Sequence, residues 1–200
     1  MRERISRWLL GRAEKHMPDF LRRRQLQMLM NLAAESFSVP AEKIRGGTAE
    51  EALAQYAAFT CRCMDAGSID QDACSADEEK LYRDARRLGD KIRQTTGFTE
   101  HEDQNRLITL LYRNIGIEIN ITGDLRERQT GELIVPDCYF SRYYTPEQCR
   151  LMSFVDSGIV SGICGGGKLL FSHRITEGCG FCRACLEEDE VLLHGGKNHE

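Results

Sequence analysis

The sequence predicts an α+β fold in which a helical N-terminal half packs on a C-terminal ββαββ sheet unit. Three observations carry that expectation. Apolar residues recur at three- and four-residue intervals up to about position 115, alternation of period two begins at Ile117, and a strongly capped helix interrupts the strand pattern after Thr145. The expected organisation is a helical region over 1–115 and a cysteine-rich α+β region over 116–200.

Taken in order, Ile5, Trp8 and Leu9, then Phe20, Leu21, Met28, Leu29 and Leu32, mark the first helices. "SFSVP" ends them, because the residue before Pro40 is pushed out of the helical region. Thr48 is an N-cap and Glu51, three residues on, completes a capping box for a helix through "AEEALAQYAAFTCRCM". Ser75 or Asp77 starts the next helix, with Leu81, Ala85, Leu88 and Ile92 on one face, and "DQNRLITLLYRNIG" forms another that stops at Gly116. "IGIEINITG" and "GELIVPDCYFS" read as strands joined by the polar loop "DLRERQTG". Thr145 caps the following helix with Pro146 at its first position, and the Gly165–Gly167 run ends it. "KLLFSHRI" and "FCRACLEE" supply the last two strands.

With 41% apolar and 29% charged residues, the composition is that of an ordinary globular chain. A net charge of −4 gives no reason to expect nucleic acid as the partner. No apolar run reaches the ~20 residues of a membrane span, and the first residues do not read as a secretory signal. Nine irregularly spaced cysteines without an export signal favour reduced thiols in a cytoplasmic setting. The first thirty residues, by contrast, are basic: Arg2, Arg4, Arg7, Arg12, Lys15, Arg22, Arg23 and Arg24 stand against Glu3, Glu14 and Asp19. Such a face could rest on an anionic membrane; packing between copies of the chain, giving a homo-oligomer through these helices, is the favoured expectation.

Chain direction locates a site. If the second strand runs up and ends near Cys138, the next helix starts at the top with Cys149 in its first two turns. The third strand, returning parallel to the second, ends at His173 and Arg174, and the fourth begins at Cys179–Cys182. Sequence-distant thiols therefore meet on one sheet edge, while Cys164 lies at the opposite end.

Two chemistries compete there. Cys179, Cys182 and Cys185 are separated by two residues each, a spacing that suits ligation of zinc or an iron–sulfur cluster, with Cys138 the first candidate for the fourth ligand and Cys149 the second. Against this, strand alternation would send Cys182 and Cys185 to opposite faces as small apolar residues. Alternatively Cys138 or Cys182 is a nucleophile, His173 its base, and Arg174, Asp156 and Cys149 hold a small-molecule substrate. A third option is a ligand-binding module with inert, buried thiols. Other motifs carry less. Cys61 and Cys63 cannot share a helix face, Cys74 falls in a polar stretch, and "GGGK" lacks the spacing and the preceding strand of a P-loop.

The run "DCYFSRYYTPEQCRLMSFVDSGIVSG…KLLFSHRITEGCGFCRAC" resembles the L-2-amino-thiazoline-4-carboxylic acid hydrolase family and, more distantly, 4-vinyl-reductase-like small-ligand domains. The resemblance covers about the last 70 residues. It implies a hydrolase that opens a small sulfur- or nitrogen-containing ring, with Cys138, Cys149, Asp156 and Cys182 in matching places. Cys179 and Cys185 depart from the pattern, which keeps a metal open.

Overall fold

A computed structural model describes residues 2–66, 71–127 and 131–187, with only the backbone at 2, 66 and 71–76. Among these residues lie six α-helices: α1 (Arg2–Lys15), α2 (Asp19–Ser36), α3 (Ala49–Ala66), α4 (Gln71–Thr96), α5 (His101–Asn114) and α6 (Pro146–Cys164). Four strands follow the expected order: β1 (Ile117–Thr122), β2 (Glu132–Cys138), β3 (Lys168–His173) and β4 (Cys182–Glu187). The fold is α+β, and no described helix is long and apolar enough to cross a membrane.

The caps form as the sequence dictates. Thr48 Oγ1 accepts from Glu51 N at 3.2 Å, and Glu51 Oε2 accepts from Thr48 N at 2.9 Å. The Thr145–Gln148 pair makes the same reciprocal bonds at the start of α6, with Pro146 in the first turn. Gly165, at φ 91°, closes α6 in the left-handed conformation that a β-carbon would penalise. Helix α4 differs from expectation: it begins at Gln71 rather than at Ser75 or Asp77, so Cys74 belongs to a helix and not to a loop. "QDACS" contains neither glycine nor proline to prevent propagation back through it.

The sheet order is β1-β2-β4-β3, and every neighbouring pair is antiparallel. Strands β2 and β3 consequently run parallel to one another, as the crossover through α6 requires, but β4 lies between them. The top of β2, the start of α6, the end of β3 and the start of β4 share one rim.

Helix α6 is buried from Ser157 to Cys164, having the sheet on one side and α4 on the other. Its contact with α4 is unusually close. A β-carbon on Gly158 would sit 2.4 Å from the Tyr82 carbonyl oxygen, and one on Gly162 would sit 2.4 Å from that of Arg86. Glycines four residues apart thus let two backbones approach where side chains would hold them off. Ser157 accepts from Leu169 N at 2.8 Å, fastening α6 to β3, and Tyr82 donates to the Gly167 carbonyl at 3.1 Å. One buried apolar cluster runs from Leu10 to Leu186, so the helices and the sheet share a core.

Candidate functional site: an acid and three thiols around a cavity

A cavity of about 90 Å³ lies where the sheet rim, α6 and the central helices meet. On this measure a water needs ~10–15 Å³, so the space corresponds to on the order of six to nine waters and suits a small organic molecule. Its wall includes Tyr56, Tyr112, Cys138, Cys149, Asp156 and Cys182. A second lobe of about 50 Å³ shares Tyr112, Cys138, Cys149, Asp156 and Cys182, and adds Phe171 and Arg174.

Each side chain is delivered by its element. Cys138 is the last residue of β2 and Cys182 the first of β4, and Val135 pairs with Cys182 across the ladder. Cys149 is in the first turn of α6, and Asp156 lies two turns further along the same helix. Arg174 follows β3, held by a bond of 3.2 Å to Ser153 Oγ and lying over the Phe171 ring at 5.0 Å.

Asp156 is the chemical centre of the arrangement. Asp156 is partly buried with its carboxyl in the cavity wall, and lost hydration is the main influence on it. Burial raises its pKa to about 7, opposed by a hydrogen bond from Tyr112 Oη, 3.0 Å away, and by the positive charge of Arg174. An acid balanced near neutrality both accepts and returns a proton at physiological pH.

The thiols behave differently. Burial pushes Cys138 up to about 12, partly offset by backbone hydrogen bonds from Phe140 and Ser141 and reinforced by the charge of Asp156. Burial likewise raises Cys149 and Cys182, the latter despite a bond of 3.3 Å from Ile175 N to its sulfur. All three are therefore neutral thiols at pH 7 rather than activated thiolates. The cysteines whose side chains are described are all free.

The Thr176 hydroxyl engages the Cys149 thiol and partly offsets the effect of burial on it. One polar atom at this rim, the buried Arg174 Nε, has no hydrogen-bond partner among the described residues. An unpaired buried donor carries a cost on the order of 1–3 kcal/mol, more for a charged group.

Five of the residues singled out in the sequence thus come together: Cys138, Cys149, Asp156, Arg174 and Cys182. Three do not. His173 does not line the cavity. Phe171 pairs with Ala184 and His173 with Arg183, so Ser172 is an extra residue, and a bulge of this kind re-aims the side chains around it. The imidazole stacks on Phe181 at 5.6 Å and meets Ser172 Oγ at 3.0 Å. The interposition of β4 also sets β3 a strand further from Cys138 than an adjacent strand would be.

The ligand set of Cys138, Cys179, Cys182 and Cys185 does not assemble. Cys182 is buried with Ala184 and Leu186 on one face of β4, and Cys185, opposite Leu170, points to the other. Cys179 stays in the turn, its N–H bonded to the Arg174 carbonyl at 3.2 Å. Among the described residues no group of three or more His, Cys, Asp or Glu side chains is placed to hold a metal ion. Zinc or iron–sulfur ligation does not fit these donors.

The sequence reading missed Tyr112, Thr176 and the aromatic wall. Phe140 stacks on Tyr144 at 5.4 Å and meets Tyr56 edge-on at 5.8 Å, and Tyr144 Oη contacts Thr60 Oγ1 at 2.6 Å. The cluster "YFSRYY", directly after Cys138, was the available signal. Tyr112 gave none beyond its place on the apolar stripe of α5.

Comparisons with protein-family models, with curated proteins and with solved structures return no match to this chain.

Proposed function

We propose that this chain is a small-molecule hydrolase acting on a carbon–nitrogen bond of a compact ring or amide, with Asp156 as its proton-transfer group. A single observation supports this most: a carboxyl group with pKa about 7 facing an otherwise largely apolar cavity. Arg174, with one unpaired nitrogen, suits a substrate carboxylate. Ionised Asp156 draws a proton from water as the water oxygen bonds to the substrate carbon. The carbon–nitrogen bond then breaks, and the same carboxyl returns that proton to the leaving nitrogen. Tyr112 positions Asp156 through its hydrogen bond. The resemblance to the amino-thiazoline carboxylate hydrolases agrees with this reading, but the raised thiol pKa values favour activated water over attack by Cys138 or Cys182.

The test is hydrolysis of a panel of small cyclic amidines, thiazolines and amides bearing a carboxylate. Turnover should require one ionisation near pH 7 and fall by roughly 10²-fold or more in Asp156→Asn, the usual scale of general acid–base catalysis. Cys138→Ala should retain most of it. Turnover that survives Asp156→Asn but vanishes in Cys138→Ala would instead restore a thiol nucleophile.

A non-catalytic ligand-binding module is the second reading, favoured by the neutral thiols and by the buried Arg174 Nε that lacks a partner. Binding of those carboxylates with no turnover at any pH would select it.

A further inference from the structure

We propose that the outward face of α1 and α2 is a docking surface for an anionic lipid bilayer. On α1, Ile5, Trp8 and Leu9 are 53%, 59% and 53% exposed, at the i, i+3, i+4 spacing of a single helical stripe. On α2, Phe20 is 60% exposed, and Leu21 and Met28 are each 38% exposed. Apolar side chains of this size are normally covered, and a concentration of them marks an interaction surface.

The charges around the stripe decide what covers it. Arg4, Arg12, Lys15 and Arg24 are exposed and make no ion pair among the described residues. Arg12 lies over the Trp8 ring at 5.2 Å, so cation and aromatic form one amphipathic unit. Each acid of the first thirty residues has a basic partner. Glu3 pairs with Arg7 at 3.1 Å, Glu14 with Arg106 of α5 at 2.7 Å, and Asp19 with Arg22 at 4.0 Å. Folding thus turns Glu14 toward α5, along with buried Leu10, and leaves Trp8, Ile5 and Leu9 outside among unpaired Arg4, Arg12 and Lys15.

A two-fold contact between copies would set this face against itself and bring the unpaired Arg4, Arg12 and Lys15 of each copy to one basic interface. An anionic bilayer supplies what the surface lacks: negative headgroups for the cations and an apolar layer for Trp8 and its neighbours. Met28, partly exposed on α2, also forms part of the cavity wall. The inference stands independently of the hydrolase reading.

Trp8 is the chain's sole tryptophan and reports directly on the contact. The full chain is titrated with vesicles of phosphatidylcholine alone and of phosphatidylcholine with phosphatidylglycerol. Anionic vesicles should give a blue shift and quenching by brominated acyl chains, with at least ~10-fold weaker binding to the neutral ones. Added salt should weaken the binding, and Arg4→Gln and Arg12→Gln should each reduce it roughly fivefold, on the scale of one charge at a lipid surface. Ile5→Ser with Leu9→Ser should remove the shift with the helical circular dichroism unchanged. The salt series on the native chain serves if any variant fails to fold. Equal response to both vesicle types, or none to either, overturns the proposal. A lipid-free blue shift that grows with protein concentration alongside a dimer in sedimentation also overturns it, in favour of self-association.

Discussion

Asp156 sits one residue before Ser157, which is committed to the backbone of β3, and four before fully buried Val160, on a helix whose second half is buried. A carboxylate there raises a question of sign. Its folded pKa, about 7, stands above the ordinary aspartate value, so the folded chain holds the proton more tightly than the unfolded one. The two states are equally protonated well below pH 4. Stability is then lost as pH rises from about 4 to about 7, and no further above it. Asp156→Asn removes that dependence and keeps an acceptor for Tyr112. Relative to this variant, the native chain should lose on the order of a few kcal/mol across that window, read by denaturant unfolding at a series of pH values. A difference that is flat with pH would contradict the burial of this group. The sequence named Asp156 as a candidate but supplied no means of telling a cavity-facing aspartate from a solvated one; α6 has to be clamped between α4 and the sheet before the distinction exists. The same holds for the thiols. Their positions followed from chain direction, whereas their protonation depends on burial that only packing creates.

Among the elements, the contact between α4 and α6 sets the geometry of the site, because it fixes the helix carrying Cys149 and Asp156. Gly162→Ala offers a clean competition. In an exposed helix the change gains about 1 kcal/mol of helix propensity. Here the added carbon would lie 2.4 Å from the Arg86 carbonyl oxygen and 2.5 Å from Asp90 N, so one backbone must move. The outcome should be a net loss of about 1–3 kcal/mol, the scale of overpacking, measured from the shift in urea midpoint. A stabilised variant would mean the helices do not touch there. Element boundaries were the legible part of this sequence, and for local reasons. Thr48 with Glu51, Thr145 with Pro146, and the glycines after Cys164 each act within one turn. What stayed hidden was non-local. The four-residue spacing of Gly158 and Gly162 announces a close neighbour without saying which helix it is, and nothing in the strands reveals that β4 would insert between β2 and β3.

Across the whole molecule, the topology brings the end of β2, the start of α6, the end of β3 and the start of β4 to one rim, and the helical half closes the space behind them with Tyr56 and Tyr112. The convergence of Cys138, Cys149 and Cys182 was visible in the order of elements, since a crossover between parallel strands leaves little choice of direction. The failure of Cys179, Cys182 and Cys185 to form a ligand set was equally physical. Residues three apart on a strand face opposite ways, and regular spacing in sequence survives as a site only where the backbone turns. What remains is a largely apolar cavity with one acid of near-neutral pKa, an arginine to hold a charge and thiols that stay protonated. That combination rests on the ionisation of a single carboxyl group. Carbon-detected NMR of the Asp156 side-chain carboxyl, assigned by its loss in Asp156→Asn, should show a titration midpoint near pH 7. A midpoint near the ordinary aspartate value of about 4 would contradict the account.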